Sequence, residues 1–303
     1  MNCRKNPAQQ LKELMAEKDF CIGIDSDGCV FDSMGLKHKE CFAPMFIKHF
    51  GLQSVSQAAR DVWEFVNLYS KTRGVNRFLA VVRALKLLKQ HPDVIVRNVA
   101  IPDTGALEEW ISRETKLGNP ALEKEVENGN EVLASALAWS LDVNRAVEEI
   151  VCGVPPLPFV KECLGKMVEI ADVLVVSQTP LEALEREWKE NDMDGFVRGI
   201  AGQEHGTKSE HLELAAAGKY PPGKILMVGD APGDFDAAKN NKALFFPIVP
   251  GREAESWECL LREGLDRFFA GTFEGEYEEG LVRQFETSLP ELPPWEVQTD
   301  VLK

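Results

Sequence analysis

The sequence lacks any apolar run of roughly eighteen residues, so no part of it is expected to span a membrane. It also lacks a C-x-x-C pair. The cysteines fall at 3, 21, 29, 41, 152, 163 and 259, a spacing that suits neither a metal finger nor a disulfide framework. Their odd number, with several in apolar runs, points to packing in a reducing cytosol. Basic charge is short too. The 34 Lys and Arg stand against 49 Asp and Glu, a formal charge of −15, which argues against a nucleic-acid or anionic-membrane partner. The opening MNCRKNPAQQLKELMAEKDF has no apolar core of signal-peptide length, so a cytoplasmic protein is expected, monomer or homodimer.

What is present suits an ordinary globular chain: 303 residues, 44% hydrophobic and 27% charged, enough for one large domain or two modest ones. Two textures divide it. Short apolar runs read as buried strands: FCIGID (20–25), DVLVVS (172–177), FVRGIA (196–201), KILMVG (224–229) and ALFFPIV (243–249). Helical stretches separate the later ones, a pattern that predicts an α/β fold with a parallel sheet. Thr179-Pro180-Leu181-Glu182 and Thr207-Lys208-Ser209-Glu210 each fit a capping box, with Thr at the N-cap and Glu three residues on. Between about 34 and 160 apolar residues recur instead at helical spacing, as in Val62, Trp63, Val66 and Tyr69 or Leu133, Leu137 and Leu141. This predicts an all-helical insertion, with the proline-rich VCGVPPLPFV (151–160) as its return linker. Beyond Gly251, one or two helices, a solvated acidic FEGEYEEG stretch and a disordered last ten or so residues are expected.

The candidate chemistry lies at the ends of those strands. Asp25-Ser26-Asp27-Gly28 follows the first strand directly. It does not fit a calcium loop, which needs a third acidic or amide side chain and a Glu six positions past the Gly. Ser177 ends the next strand, Lys208 opens a helix, and Gly229-Asp230-Ala231-Pro232-Gly233-Asp234 ends a further strand. Each alone has a plain alternative: a turn-forming Ser, a solvated Lys, a Gly-Asp turn. All four in order, each past the C-terminal end of a strand or the loop that follows it, are hard to produce by accident.

In these residues the sequence resembles the haloacid dehalogenase superfamily of phosphatases with a type 1 helical cap. Its four motifs match Asp25-Ser26-Asp27-Gly28, Ser177, Lys208 and GDAPGDFDAA (229–238), with Cys29 where many members have Thr. The resemblance implies a Rossmann-like parallel sheet core over 1–33 and 160–275, a helical cap over 34–159, and a C-terminal extension over 276–303. It implies Asp25 as nucleophile and Asp27 as general acid/base. Mg²⁺ would be held by Asp25, Asp230, Asp234 (a ligand or the partner of one) and the backbone carbonyl of Asp27. Ser177, Gln178 and Lys208 would hold the phosphoryl oxygens. These roles suit the residue types, since in-line attack needs a held carboxylate and a hard cation prefers oxygen. Asp27, two residues past Asp25, favours phosphate esters over C–Cl or C–P cleavage, because it can protonate a leaving alkoxide.

The cap segment 69–78 is a polar, basic turn in which Arg73 and Arg77 are candidate substrate contacts, against the plainer reading of a solvated interhelical turn. A cap of this size favours a small phosphorylated metabolite over a phosphoprotein. Three activities remain open: a phosphomonoesterase, a phosphotransferase resembling β-phosphoglucomutase, and a binding protein on the same scaffold. The last predicts a broken motif, and none is broken.

Overall fold

The computed structural model describes residues 7–130 and 133–297, which fall into two compact units. One comprises residues up to Ser33 and Gly153–Ser288; the other comprises Met34–Cys152 and the chain from Leu289 onward. Among the described residues, no helix is long and apolar enough to cross a membrane.

The first unit is built on a five-stranded parallel sheet in the order β3-β2-β1-β4-β5, with β1 Phe20–Ile24, β2 Ala171–Val176, β3 Gly199–Ala201, β4 Ile225–Gly229 and β5 Leu244–Pro247. The α/β class expected from the strand–helix alternation is what the chain adopts. Side chains alternate across the central strands as the pleat requires. Ile22, Ile24, Val173, Val175, Leu226 and Val228 enter one core with Leu164, Met167, Trp188, Trp257 and Phe268, while Cys21, Leu174 and Ile225 meet Ala215, Ala216 and Tyr220 on the other face. Both faces are therefore covered, which is why these strands read as continuous apolar runs rather than alternating ones. The chain leaves β1 for β2 and β3 on one side, then returns to β4 and β5 on the other. That reversal opens a crevice past the C-terminal ends of β1 and β4, where open α/β sheets bind ligands.

Two local expectations need correction here. The box at Thr179 does not form. The helix is Leu181–Glu190, its N-cap is Pro180 with no side-chain bond, and the Leu181 N–H donates to Glu204 Oε2 at 2.9 Å instead. The box at Thr207 forms in both directions, with Glu210 N donating to Thr207 Oγ1 at 3.2 Å and Thr207 N to Glu210 Oε2 at 2.7 Å. The acidic stretch is also more than solvated surface. It starts the helix Glu276–Ser288, and Glu278 Oε1 accepts the Phe245 N–H of edge strand β5 at 2.8 Å, so burial raises that carboxyl.

The second unit is helical among its described residues, with helices that include Ser56–Leu68, Arg77–Gln90 and Ala134–Ile150. Phe46, Trp63, Phe78, Trp110 and Trp139 are fully buried. Their rings meet edge-on or tilted, as in Trp63–Trp139 at 5.6 Å and Phe78–Trp110 at 5.1 Å, pairs that add about 1 kcal/mol each beyond area burial. The C-terminal segment joins this unit: Leu289 is buried, Lys71 N donates to Pro290 O at 3.4 Å, and Trp295 lies against Phe65 and His91. The expected disordered tail thus begins with a turn of helix at Pro294–Val297; the rest of it, 298–303, lies outside the described residues.

Candidate active site

Asp25 follows β1 directly, and its N–H donates to Val228 O at 2.9 Å, extending the β1–β4 ladder by one residue. The next turn is fixed from inside. The Ser26 carbonyl accepts N–H bonds from Cys29, Val30 and Phe31 at 3.3, 2.9 and 3.1 Å. Gly28 has φ +80°, a conformation that glycine adopts without strain. Two buried indoles then brace the loop: Trp188 Nε1 donates to Ser26 Oγ at 3.0 Å and Trp257 Nε1 to Cys29 O at 2.8 Å. Asp25 and Asp27 stand on a rigid support.

Past β4, Asp234 folds back on its own strand end. Its Oδ2 accepts the N–H groups of Asp230 and Ala231 at 3.2 and 3.0 Å. Gly229 permits this, since a Cβ there would lie 2.4 Å from the Asp234 Cβ. Carboxylate oxygens of Asp25, Asp230 and Asp234 then lie within 4.8 Å of one another, and all three residues are buried. Lys208, the first residue of the helix Lys208–Ala216, reaches in with Nζ at 2.8 Å from Asp25 Oδ2 and 2.7 Å from Asp234 Oδ1. Three carboxylates against one ammonium leave an excess of two negative charges in a buried pocket.

The titration shifts follow from that imbalance. Burial pushes Asp234 up to about 6, opposed by Lys208 and assisted by Asp25. Burial alone would lower Lys208, but Asp234, Asp25 and Asp230 outweigh it and hold the ammonium above its ordinary value. Asp25 Oδ1 is buried and accepts no hydrogen bond from any described residue. A buried, unsatisfied carboxylate oxygen is costly unless a cation or proton meets it. The all-oxygen donor set and the excess charge fit a hard divalent ion such as Mg²⁺.

Asp27 is placed differently. Its carboxylate accepts from Ser33 Oγ at 2.5 Å and from Thr179 Oγ1 at 2.5 Å, and it is not one of the three clustered carboxylates. Both hydroxyls were missed in the sequence. Thr179 was legible only as a helix cap, a role it gives up for this bond, and nothing in the spacing marks Ser33.

Ser177 is 2% exposed; its N–H donates to Ala201 O at 2.9 Å, and its Oγ accepts the Thr179 N–H at 3.3 Å. Gln178 is exposed, with Nε2 donating to Gly206 O at 2.9 Å, which ties the loop after β2 to the loop before Lys208. Arg73 and Arg77 belong to the helical unit. Arg73 is buried, with Nη1 on Leu68 O at 2.8 Å, and fastens its own turn; Arg77 contacts Ser140, Asn144 and the Phe42 ring.

No known family model matches the sequence, and no curated protein matches it. Among solved structures the chain is similar to a haloacid dehalogenase-like family hydrolase from Streptococcus pneumoniae. The identity is 10%, the match covers 79% of this chain and 90% of that one, and the TM-score is 0.47. It is also similar to a protein from Haemophilus somnus described as a predicted phosphoglycolate phosphatase. There the identity is 16%, with 76% and 86% of the two chains covered and a TM-score of 0.45.

Proposed function

We propose that this chain is a Mg²⁺-dependent phosphatase of the haloacid dehalogenase type that hydrolyses a small phosphomonoester through an aspartyl-phosphate on Asp25. The observation that carries this reading is the buried Asp25, Asp230 and Asp234 cluster with Lys208, at the topological switch point of a parallel sheet. Asp25, Asp230, Asp234 and the Asp27 carbonyl would hold Mg²⁺, which would supply the charge neutralisation without which a phosphate dianion would be repelled.

The chain's own groups account for the remaining steps. An Asp25 carboxylate oxygen attacks phosphorus as the bond to the ester oxygen breaks, and the departing alkoxide takes a proton from Asp27. Asp27 then takes a proton from the water that attacks the same phosphorus, and the P–O bond to Asp25 breaks to free the carboxylate. Ser33 and Thr179 orient Asp27 through both events, each donating to one carboxylate oxygen while it is ionised. Lys208 neutralises the phosphoryl oxygens, with Ser177 and the backbone of Gln178 beside it.

The test is phosphate release from a panel of phosphorylated metabolites with Mg²⁺, run beside Asp25→Asn and Asp27→Asn. The reading predicts net phosphate release by the wild type alone. No release from any ester, or full activity in Asp25→Asn, would overturn it. Isomer interconversion without net release would replace the phosphatase with a mutase.

A further inference from the structure

Thr179 stands where two hydrogen-bond schemes compete. Thr179-Pro180-Leu181-Glu182 has the residues of a capping box, in which the Thr179 hydroxyl oxygen would accept an N–H of its own helix and the Glu182 carboxylate would accept the Thr179 N–H. Pro180 suits that scheme as the first helical residue. The structure takes the other. Pro180 is the N-cap, a residue with no side-chain acceptor, and Thr179 lies one position outside the helix. Its N–H donates to Ser177 Oγ at 3.3 Å, its carbonyl accepts the Gln203 N–H at 3.1 Å, and its hydroxyl donates to Asp27 Oδ2 at 2.5 Å.

What makes this possible comes from the loop after β3. Glu204 Oε2 accepts the Leu181 N–H at 2.9 Å, a donor that Thr179 would otherwise answer, and sets an acidic side chain at the positive end of the helix. The loop is built to deliver it. Gly202 lies so close that a Cβ there would be 2.7 Å from Thr179 O and 2.8 Å from Leu181 N. His205 Nδ1 accepts the Gly202 N–H at 3.2 Å, and Gln178 Nε2 donates to Gly206 O at 2.9 Å, so the turn is closed at both ends. Glu204 itself is exposed and belongs to none of the four site segments.

We infer that Glu204 is a positioning residue for the general acid/base: by capping Leu181 from another loop, it keeps Thr179 out of the cap and the Thr179 hydroxyl on Asp27. The catalytic consequence rests on the function proposed above. The exchange between Glu204 and Thr179 at the start of the helix does not.

Glu204→Ala leaves the Leu181 N–H open, and the local pattern then draws Thr179 into the cap. On the ester hydrolysed fastest in the metabolite panel, kcat should fall about tenfold with KM within about twofold. Glu204→Gln keeps a side-chain oxygen acceptor and should hold kcat within about twofold of the wild type. The double variant separates positioning from support. In a Thr179→Val background, Glu204→Ala should cost kcat no more than about a further twofold, because no hydroxyl is left to misplace. The thermal midpoint should do the opposite: it barely moves in Glu204→Ala, where Thr179 replaces the cap, and drops by about two degrees in the double variant, which has neither acceptor. An unchanged kcat in Glu204→Ala, the same loss with and without the Thr179 hydroxyl, or a Glu204→Gln enzyme as slow as Glu204→Ala overturns the inference. If no ester is hydrolysed, the phosphatase reading fails on its own, and the exchange is read from a crystal structure of Glu204→Ala. Thr179 Oγ1 turned onto the N–H of Leu181 or Glu182 then sustains it; Thr179 Oγ1 still on Asp27, or anywhere else, overturns it.

Discussion

At the N-terminal end of β2, Asp172 is buried and accepts hydrogen bonds from Glu17 N, Lys18 N, Tyr220 Oη and Arg198 Nη1 at 2.8, 3.0, 2.6 and 2.6 Å. At the C-terminal ends of β1 and β4, three buried carboxylates surround one ammonium, and an oxygen of Asp25 has no donor among the described residues. Burial pushes both sites up, but with opposite results. The donors around Asp172 win and hold it below its ordinary range, whereas Asp234 ends up raised to about 6. A carboxylate surrounded by donors is finished. A carboxylate cluster short of positive charge favours a cation. The first fastens residues 17 and 18 to the sheet; the second has the imbalance expected of a cation-dependent site.

The largest effect that would sharpen this contrast is on turnover. Asp25→Asn should lower kcat by about a thousandfold or more while the thermal midpoint holds or rises, because one of three crowded charges is gone. A stability collapse in that variant would break the contrast. Asp172→Asn should do the reverse. Stability should drop by about 3 kcal/mol, as an Arg and three further donors lose their charged acceptor, with kcat per folded molecule unchanged. Chemical denaturation beside steady-state kinetics reads both.

Next in size, Thr179→Val should cut kcat by about ten- to a hundredfold with KM and stability nearly unchanged, since it removes one of the two hydroxyls that orient Asp27. An equal stability loss would make Thr179 structural.

The smallest effect is on pH. Asp234 has a folded pKa above its unfolded one, so its ionisation opposes folding increasingly as pH rises to about 6 and stays adverse above it. Mg²⁺ should therefore raise the thermal midpoint by a few degrees at pH 7.5 and much less at pH 5. Asp172 runs the other way: its stabilisation is present above its unfolded pKa and fades as pH falls through the lower folded one. A Mg²⁺ shift independent of pH would remove Asp234 from the account.

How much of this was legible depends on range. The strands and the four site segments could be read because both faces of the sheet are buried and because the chemistry falls where strands end. Asp25, Lys208, Asp230 and Asp234 converge from three separate segments, and the order of the segments, with the motif resemblance they carry, is what pointed to it. Thr179 shows the limit. Its local pattern favours a capping bond worth about 1 kcal/mol, yet its hydroxyl goes to a carboxylate 152 residues away in sequence. Nothing local shows that the N–H groups of Trp188 and Trp257 brace the loop of Asp25. The start of the tail, 294–297, departs from expectation for a similar reason, since Pro290 and Trp295 find Lys71, Phe65 and His91 far back along the chain.

The most direct test of the central claim is to quench the turning-over enzyme in acid, reduce with borohydride, and map the product by peptide mass spectrometry. An aspartyl-phosphate is reduced to homoserine, and the account predicts homoserine at position 25, absent from Asp25→Asn. Phosphate release with no modification at Asp25, or modification at another carboxylate, would contradict it.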